Sequence, residues 1–320
     1  MNLVVLGAVS FAVTLVLTPL AIVVATRTGI MDRPGALKEQ TRAVPYLGGV
    51  AVLAGLLVAV LSDRPSLAGP LVAATALGVA DDRFDLPPAV RIVGELVVAA
   101  AVVVTCPVHL PGAVAAVAIV AVTLLLVNGV NLLDGLDMLA AGTVAVAAIG
   151  FAVILVGTGR QLGVALAASL VAFLLFNRPP ARIYLGDGGS YLLGTALAVL
   201  VAQAWNPISS TTVGVASFAL VALPAAEVAF AVTRRLRGRQ PVLAGDRGHP
   251  YDRLVARGWT RPSASAAYIV AQGILTVGAV IAYRRSSPAL AIVVDCVGGA
   301  ALIVAAGLVG SLSPDQEVAP

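Results

Sequence analysis

Charge is scarce in this chain: 11% of its 320 residues are Asp, Glu, Lys or Arg, while 59% are hydrophobic. Soluble domains carry about 25% charged residues, so this sequence cannot clothe a water-exposed globule. Aromatic residues make up 5%, and there are two cysteines and two histidines. Cys106 closes one apolar run and Cys296 lies in the middle of another. Neither has a second Cys or His at ligand spacing, which excludes a disulfide framework and a thiolate metal centre. Basic residues are missing from Met1 to Thr26, where the apolar run is long; that argues for a retained first span and against a cleaved signal peptide. No internal repeat stands out, which disfavours transporters built from inverted repeats.

What the chain has instead is apolar length, with a mean hydropathy of +1.00. Breaking it at polar clusters gives candidate spans at 2–25, 46–62, 67–80, 88–105, 113–127, 138–157, 162–176, 191–205, 213–232, 263–283 and 289–310. The expected fold is an all-α polytopic membrane protein of about 11 transmembrane helices (10–11). It forms one domain over 1–310, and the polar tail 311–320 is expected to be disordered. The connections alternate. Those at 26–45, 81–87, 128–137, 177–190 and 233–262 are rich in polar motifs, whereas the ones between them are short and bland. If Arg91, just inside the fourth span, is counted with the motif-bearing connections, they hold all of the 20 basic residues except Arg64, Arg160, Arg284 and Arg285. The positive-inside bias puts them in the cytoplasm, with the N-terminus outside and the C-terminus inside. The unusual polar residues thus gather at one face of the membrane.

Five constellations lie on that face. The sharpest is Gly78-Val79-Ala80-Asp81-Asp82-Arg83-Phe84-Asp85-Leu86-Pro87-Pro88. A surface turn explains one acid there, but adjacent acids beside apolar runs persist mainly where a cation or a function needs them. Paired carboxylates suit a hard cation such as Mg²⁺, and Arg91 is placed to reach a phosphate oxygen. Asn128, Asn131, Asp134 and Asp137 recur every three positions, which on a helical path sets four oxygen-bearing side chains on one side, toward one cavity. A capping turn uses only one or two of them. Gly186-Asp187-Gly188-Gly189-Ser190, entering an apolar run, can offer N–H groups to an anion while Asp187 reaches a metal; the plainer reading makes Asp187 an N-cap. The first connection carries Arg33, Lys38 and Arg42 ahead of Pro45-Tyr46-Leu47-Gly48-Gly49, suited to an anionic ligand or to simple headgroup anchoring. The last carries Asp246-Arg247-Gly248-His249-Pro250-Tyr251-Asp252-Arg253, where Arg247, His249 and Arg253 resemble a phosphate clamp. His109 falls on the bland side and reads as structural. Glu95 and Glu227 are expected to pair with Arg91 or Arg234; Asp295 has no evident partner.

Together, in this order, these motifs resemble the polyprenyl-phosphate N-acetylhexosamine-1-phosphate transferases, of glycosyltransferase family 4 type. The resemblance covers about 31–258. It is carried by Pro45-x-Leu47-Gly48-Gly49, Asp81-Asp82 with Asp85, the Asn128 to Asp137 ladder, Gly186-Asp187-x-Gly189-Ser190 and Asp246-Arg247-Gly248-His249. It implies an Mg²⁺-dependent enzyme (Mn²⁺ being the substitute) that moves a sugar-1-phosphate from a UDP-sugar to undecaprenyl or decaprenyl phosphate in the plasma membrane, releasing UMP. By the same resemblance, Asp187 and Asn131 ligate the metal, and Asp81 and Asp82 orient or deprotonate the lipid phosphate beside Arg91. Asp137 meets the uracil edge and Tyr184 stacks on it. Lys38, Asn128, Asp134, Arg247, His249 and Arg253 complete the substrate contacts. The partners implied are membrane lipids and both substrates, with no nucleic acid; a homodimer is compatible. One departure stands out: the family's last motif usually holds two or three histidines, but here His249 is followed by Pro250, Tyr251 and Asp252. That separates this chain from the phospho-MurNAc-pentapeptide branch and favours the GlcNAc-1-phosphate one. Asp81-Asp82-x-x-Asp85 also matches the aspartate-rich box of isoprenoid-diphosphate enzymes, but an intramembrane prenyltransferase needs a second such box. A secondary transporter is expected to hold its acids near the bilayer midplane, not along one rim.

Overall fold

The computed structural model describes residues 2–32, 43–108, 110–241 and 248–313. Thirteen α-helices account for nearly all of it: α1 (Leu3–Thr28), α2 (Gly48–Asp63), α3 (Ala68–Phe84), α4 (Pro88–Thr105), α5 (Gly112–Leu133), α6 (Leu139–Ile154), α7 (Gly157–Asn177), α8 (Gly186–Ala204), α9 (Thr211–Leu220), α10 (Ala222–Arg237), α11 (Pro250–Ala256), α12 (Arg261–Arg284) and α13 (Pro288–Leu308). Two-residue strands, Met31–Asp32 and Val44–Pro45, pair antiparallel ahead of α2. Short polar side chains start several helices. The Asn2 side chain accepts from the Val4 N–H, and Ser210, Thr260 and Ser287 cap α9, α12 and α13 in the same way.

Every expected span meets a helix, and the 213–232 span meets two. α9 and α10 are bent by 58° at a short break. Six helices are long and apolar enough to cross a membrane, or seven if that bent pair acts as one span. The protein is all-α and polytopic. Three motif-bearing stretches expected as loops are partly helical. α3 runs on through Asp81 and Asp82 to Phe84, because no proline or glycine interrupts it before Asp85, which turns left-handed at φ 49°. α5 likewise carries Asn128 and Asn131, and α8 begins at Gly186.

α8 is the hub. All of its residues except Asp187 are buried, so it has no lipid-facing side. Small residues bring its neighbours close, as membrane helices without a hydrophobic drive between them require. A Cβ at Gly78 of α3 would collide with the main chain of Asp187, one at Gly49 of α2 with Gly189, and one at Gly194 of α8 with Val127 of α5. The connections sort onto the two ends of α8, which at about 1.5 Å per residue lie roughly 28 Å apart. At its N-terminal end the Gly49 N–H donates to the Leu185 carbonyl (3.0 Å) and the Met138 N–H to Asn177 Oδ1 (2.8 Å). At the other end Arg64 reaches the Thr105 carbonyl (2.8 Å) and Thr158 reaches Asp63 (2.6 Å). The motif-bearing connections therefore share one end of the bundle. Ser311, at the start of the expected tail, is completely buried.

Candidate active site

The polar end of the bundle is made of helix termini. α3 ends there with Asp81 and Asp82, α4 begins with Arg91 in its first turn, α5 ends with Asn131, and α8 begins with Asp187. An α8 N-terminus buried in protein would leave its first N–H groups without partners and a positive end of the helix dipole exposed to nothing. Asp82 answers both needs. Its carboxylate accepts from the Asp187 N–H (3.0 Å) and the Gly188 N–H (3.2 Å), capping α8 from a neighbouring helix. The chain enters α8 through Gly186, at φ +73°, where a side chain would run into the Tyr46 carbonyl and the Asp82 carboxylate.

Asp81, one residue earlier, also reaches the Asp187 side chain and takes further partners of its own. Its Oδ2 receives Arg91 Nε at 3.0 Å and the Tyr191 hydroxyl at 2.8 Å, and its Oδ1 receives the Leu86 N–H at 3.0 Å. The Arg91 guanidinium also lies over the Tyr191 ring, 5.8 Å from its centroid. Asp187 is held by Asn131, whose amide donates to Asp187 Oδ1 at 2.6 Å and to Ser190 Oγ at 3.2 Å.

The charges in this cluster press on one another. Burial, and then the Asp187 charge, push Asp82 up to about 7 against the pull of the two N–H groups it accepts. Burial and Asp81 push Asp187 up to about 6, opposed by Arg91 and Asn131. Asp134, just past α5, is raised well above the carboxylate range by burial and by Asp187, Asp82 and Asp137. Tyr46 is raised as well, by burial and by its hydrogen bond to Asp32. Carboxylates crowded together out of water repel one another, and a cation relieves that repulsion. The donors are all oxygen, which suits a hard divalent ion. Among the described residues no three His, Cys, Asp or Glu side chains converge as a ready-made metal cage. The oxygen atoms of Asp187 and Asn131 are of the donor type that suits Mg²⁺, which takes one or two carboxylates and leaves its other positions to water and phosphate.

The members of the Asn/Asp ladder take different partners. Asn131 joins Asp187, whereas the Asn128 amide turns to Glu95 Oε2 at 2.7 Å between α4 and α5. Beyond the helix end, Asp137 accepts the Ala181 N–H at 3.0 Å. Tyr184 is half-buried, and its main chain is paired to Pro45 and Gly48. His249 is buried, with Nδ1 2.9 Å from Glu227 Oε2 and its ring stacked on Tyr251 at 5.2 Å. Arg253 is half-buried on α11. Lys38 and Arg247 lie outside the described residues, as do Arg33, Arg42, His109 and Asp246.

The expected acid pairings change accordingly. Glu95 accepts from Asn128, with Arg91, bonded to Asp81, still close enough for its charge to act on Glu95. Glu227 takes His249 and the Tyr268 hydroxyl (2.7 Å), because Arg234 reaches Ser311. Asp295 sits on α13 where it packs against α9, apart from the cluster. Two residues that motif reading passed over touch the cluster, Tyr46 and Tyr191. Tyr191 had a signal in the sequence: it follows Asp187 by four, so both lie on one face of α8.

A family model for glycosyl transferase family 4 matches residues 65–204. A decaprenyl-phosphate N-acetylglucosaminephosphotransferase of Mycolicibacterium smegmatis is 30% identical over 310 residues, covering 80% of this chain and 76% of the relative. An undecaprenyl-phosphate alpha-N-acetylglucosaminyl 1-phosphate transferase of Thermotoga maritima is 32% identical over 248 residues, covering 76% and 77%.

Proposed function

The chain belongs to glycosyl transferase family 4, and on that footing we propose that it transfers GlcNAc-1-phosphate from UDP-GlcNAc to a polyprenyl phosphate, releasing UMP. It is a multi-pass membrane phosphotransferase. The names of its relatives support the sugar and the acceptor, undecaprenyl or decaprenyl phosphate. The observation that carries the reading is the meeting of Asp82, Asn131 and Asp187 at one buried helix N-terminus. Such a meeting suits a divalent cation, and through it an anionic diphosphate, more than a structural turn.

In the reaction an oxygen of the lipid phosphate bonds to the sugar-bearing phosphorus. The bond from that phosphorus to the bridging oxygen breaks, and UMP leaves with that oxygen. Such transfer asks the protein for position and charge balance more than for covalent chemistry. Asp187 and Asn131 would hold Mg²⁺, or Mn²⁺ in its place, which when bound neutralises charge on the diphosphate. Direct attack is favoured over an aspartyl-phosphate intermediate, because Asp187 is committed to Asn131. Asp82 stands on the α8 N-terminus and Asp81 beside Arg91; both serve the acceptor phosphate, with Arg91 as its anion contact. Asp134, Asp137 and Tyr184 lie toward the nucleoside. Asn128, Lys38, Arg247, His249 and Arg253 belong to the wider substrate surface. The excess of basic residues in the motif-bearing connections supports eleven spans with the N-terminus outside and the C-terminus in the cytoplasm, and with them a site on the cytoplasmic face of the plasma membrane.

Purified protein given Mg²⁺, UDP-GlcNAc and polyprenyl phosphate should release UMP. Asp187→Asn should reduce release to background, and EDTA should stop it until Mg²⁺ is restored. Inactivity of the wild type across a panel of UDP-sugars would overturn the reading.

A further inference from the structure

The segment after α13 is built into the protein more firmly than a helix end requires. Gly310, at φ +74°, turns the chain back, and the Ser311 N–H closes onto the Ala306 carbonyl at 2.9 Å. That closure alone completes the helix. Ser311 goes further. Its carbonyl accepts from Arg234 Nη1 at 2.9 Å, and its hydroxyl, 3.3 Å from the same nitrogen, donates to the Gly248 carbonyl at 2.8 Å. Ser311 is fully buried, and Arg234 is 1% exposed. Arg237 and Arg257 hold the flanking Leu312 and Leu308 carbonyls at 2.9 and 2.7 Å.

Gly248 opens a segment that is pinned at three points. Ser311 holds Gly248, Glu227 holds His249, and the Tyr251 hydroxyl donates to the Leu132 carbonyl at 2.9 Å. Glu227 and Arg234 are seven residues apart on α10, two turns along one face. One helix face thus grips the segment twice, once directly and once through Ser311. The third point touches the candidate site itself, because Leu132 follows Asn131 and precedes Asp134. Tyr251 also fills the space over Gly135, where a Cβ would strike its ring. Tyr251 is therefore the contact between this segment and the Asn131–Asp134 turn.

We infer that Ser311, clasped by Arg234, is a positioning residue for the transfer reaction: it holds Gly248 to Tyr251 in register with the Asn131–Asp134 turn. The inference rests on the phosphotransfer reading for its kinetic consequence, but its structural core can be measured without activity. Ser311→Ala should lower kcat/KM for the UDP-sugar about fivefold, the worth of one neutral hydrogen bond. Ser311→Thr, which keeps the hydroxyl, should stay within about twofold of wild type. Tyr251→Phe should produce a similar loss, and the double variant should be no worse than the poorer single one, because both act through one contact. In hydrogen–deuterium exchange, Ser311→Ala should raise uptake in peptides covering 128–137 as well as 248–256, and Tyr251→Phe should raise it around 306–312. Unchanged kinetics for Ser311→Ala, a Thr variant as impaired as the Ala one, losses that multiply in the double variant, or exchange confined to the mutated segment would each overturn the inference. If the wild type releases no UMP from any UDP-sugar, the phosphotransfer reading has failed, and the exchange pattern decides the positioning link by itself.

Discussion

Adjacent aspartates divide the labour at the site. Asp81 is saturated, with Arg91, Tyr191 and the Leu86 N–H around its two oxygens. Asp82 caps a helix through the Asp187 N–H, 105 positions later. Removing Arg91 should therefore act first on Asp81, which would keep a buried charge with its main counterion gone. Arg91→Ala should cost about 2 kcal/mol; a wholly buried pair would cost more, but the Arg91 side chain remains 30% exposed. Thermal unfolding in detergent and UMP release should fall together, and an unchanged unfolding midpoint would contradict the pairing. Asp82→Asn is the complementary experiment. The amide keeps one acceptor but turns its NH2 toward the other of the Asp187 and Gly188 N–H groups, and it removes the charge and the basicity, so kcat should drop by about two orders of magnitude and stability by about 1–2 kcal/mol. A kinetic effect below threefold would remove Asp82 from the chemistry.

At the scale of elements, the site exists because α3 and α8 touch at their main chains. Gly78 lies four residues before Asp82, one turn back, and its missing side chain is what lets α3 approach Asp187. Gly78→Ala should force the helices apart, cost about 1–3 kcal/mol, and withdraw Asp82 from the α8 N-terminus. The same helix contains a control. A Cβ at Gly69 meets nothing, so Gly69→Ala should be neutral or slightly stabilising, because alanine is the better helix former. Unfolding midpoints of the two variants test the claim directly, and equal behaviour would refute it. The α9–α10 break, bent by 58°, places Glu227 and Arg234 on a separate rod, from which they grip the segment around His249.

At the scale of the whole molecule, the polar connections meet at one end of α8 and the bland ones at the other. That separation makes a topological test sharp. With Cys106 and Cys296 replaced by serine, a membrane-impermeant maleimide should label Ile208→Cys in intact cells. It should label Asp85→Cys only after permeabilisation. Both wild-type positions are exposed and lie at opposite ends of the bundle. Labelling in the reverse sense would put the site outside the cell.

Much of this was legible in one dimension. Apolar runs of spanning length determined the membrane class, and the alternation of motif-rich with bland connections determined that the chemistry would sit at one rim. The carboxylate and carboxamide motifs pointed to a hard cation and an anionic ligand at that rim. These properties are local: hydropathy, spacing and residue type need no partner to be read. Partnership was the part that only the tertiary structure decided. It separated Asp81 from Asp82, turned Asn128 toward Glu95 and away from Asn131, gave Glu227 to His249, and drew Ser311 out of a supposed tail into a fully bonded seat. A buried polar group bonds to whatever the helix packing brings within about 3 Å of it, and that packing is set by close approaches between residues far apart in the chain.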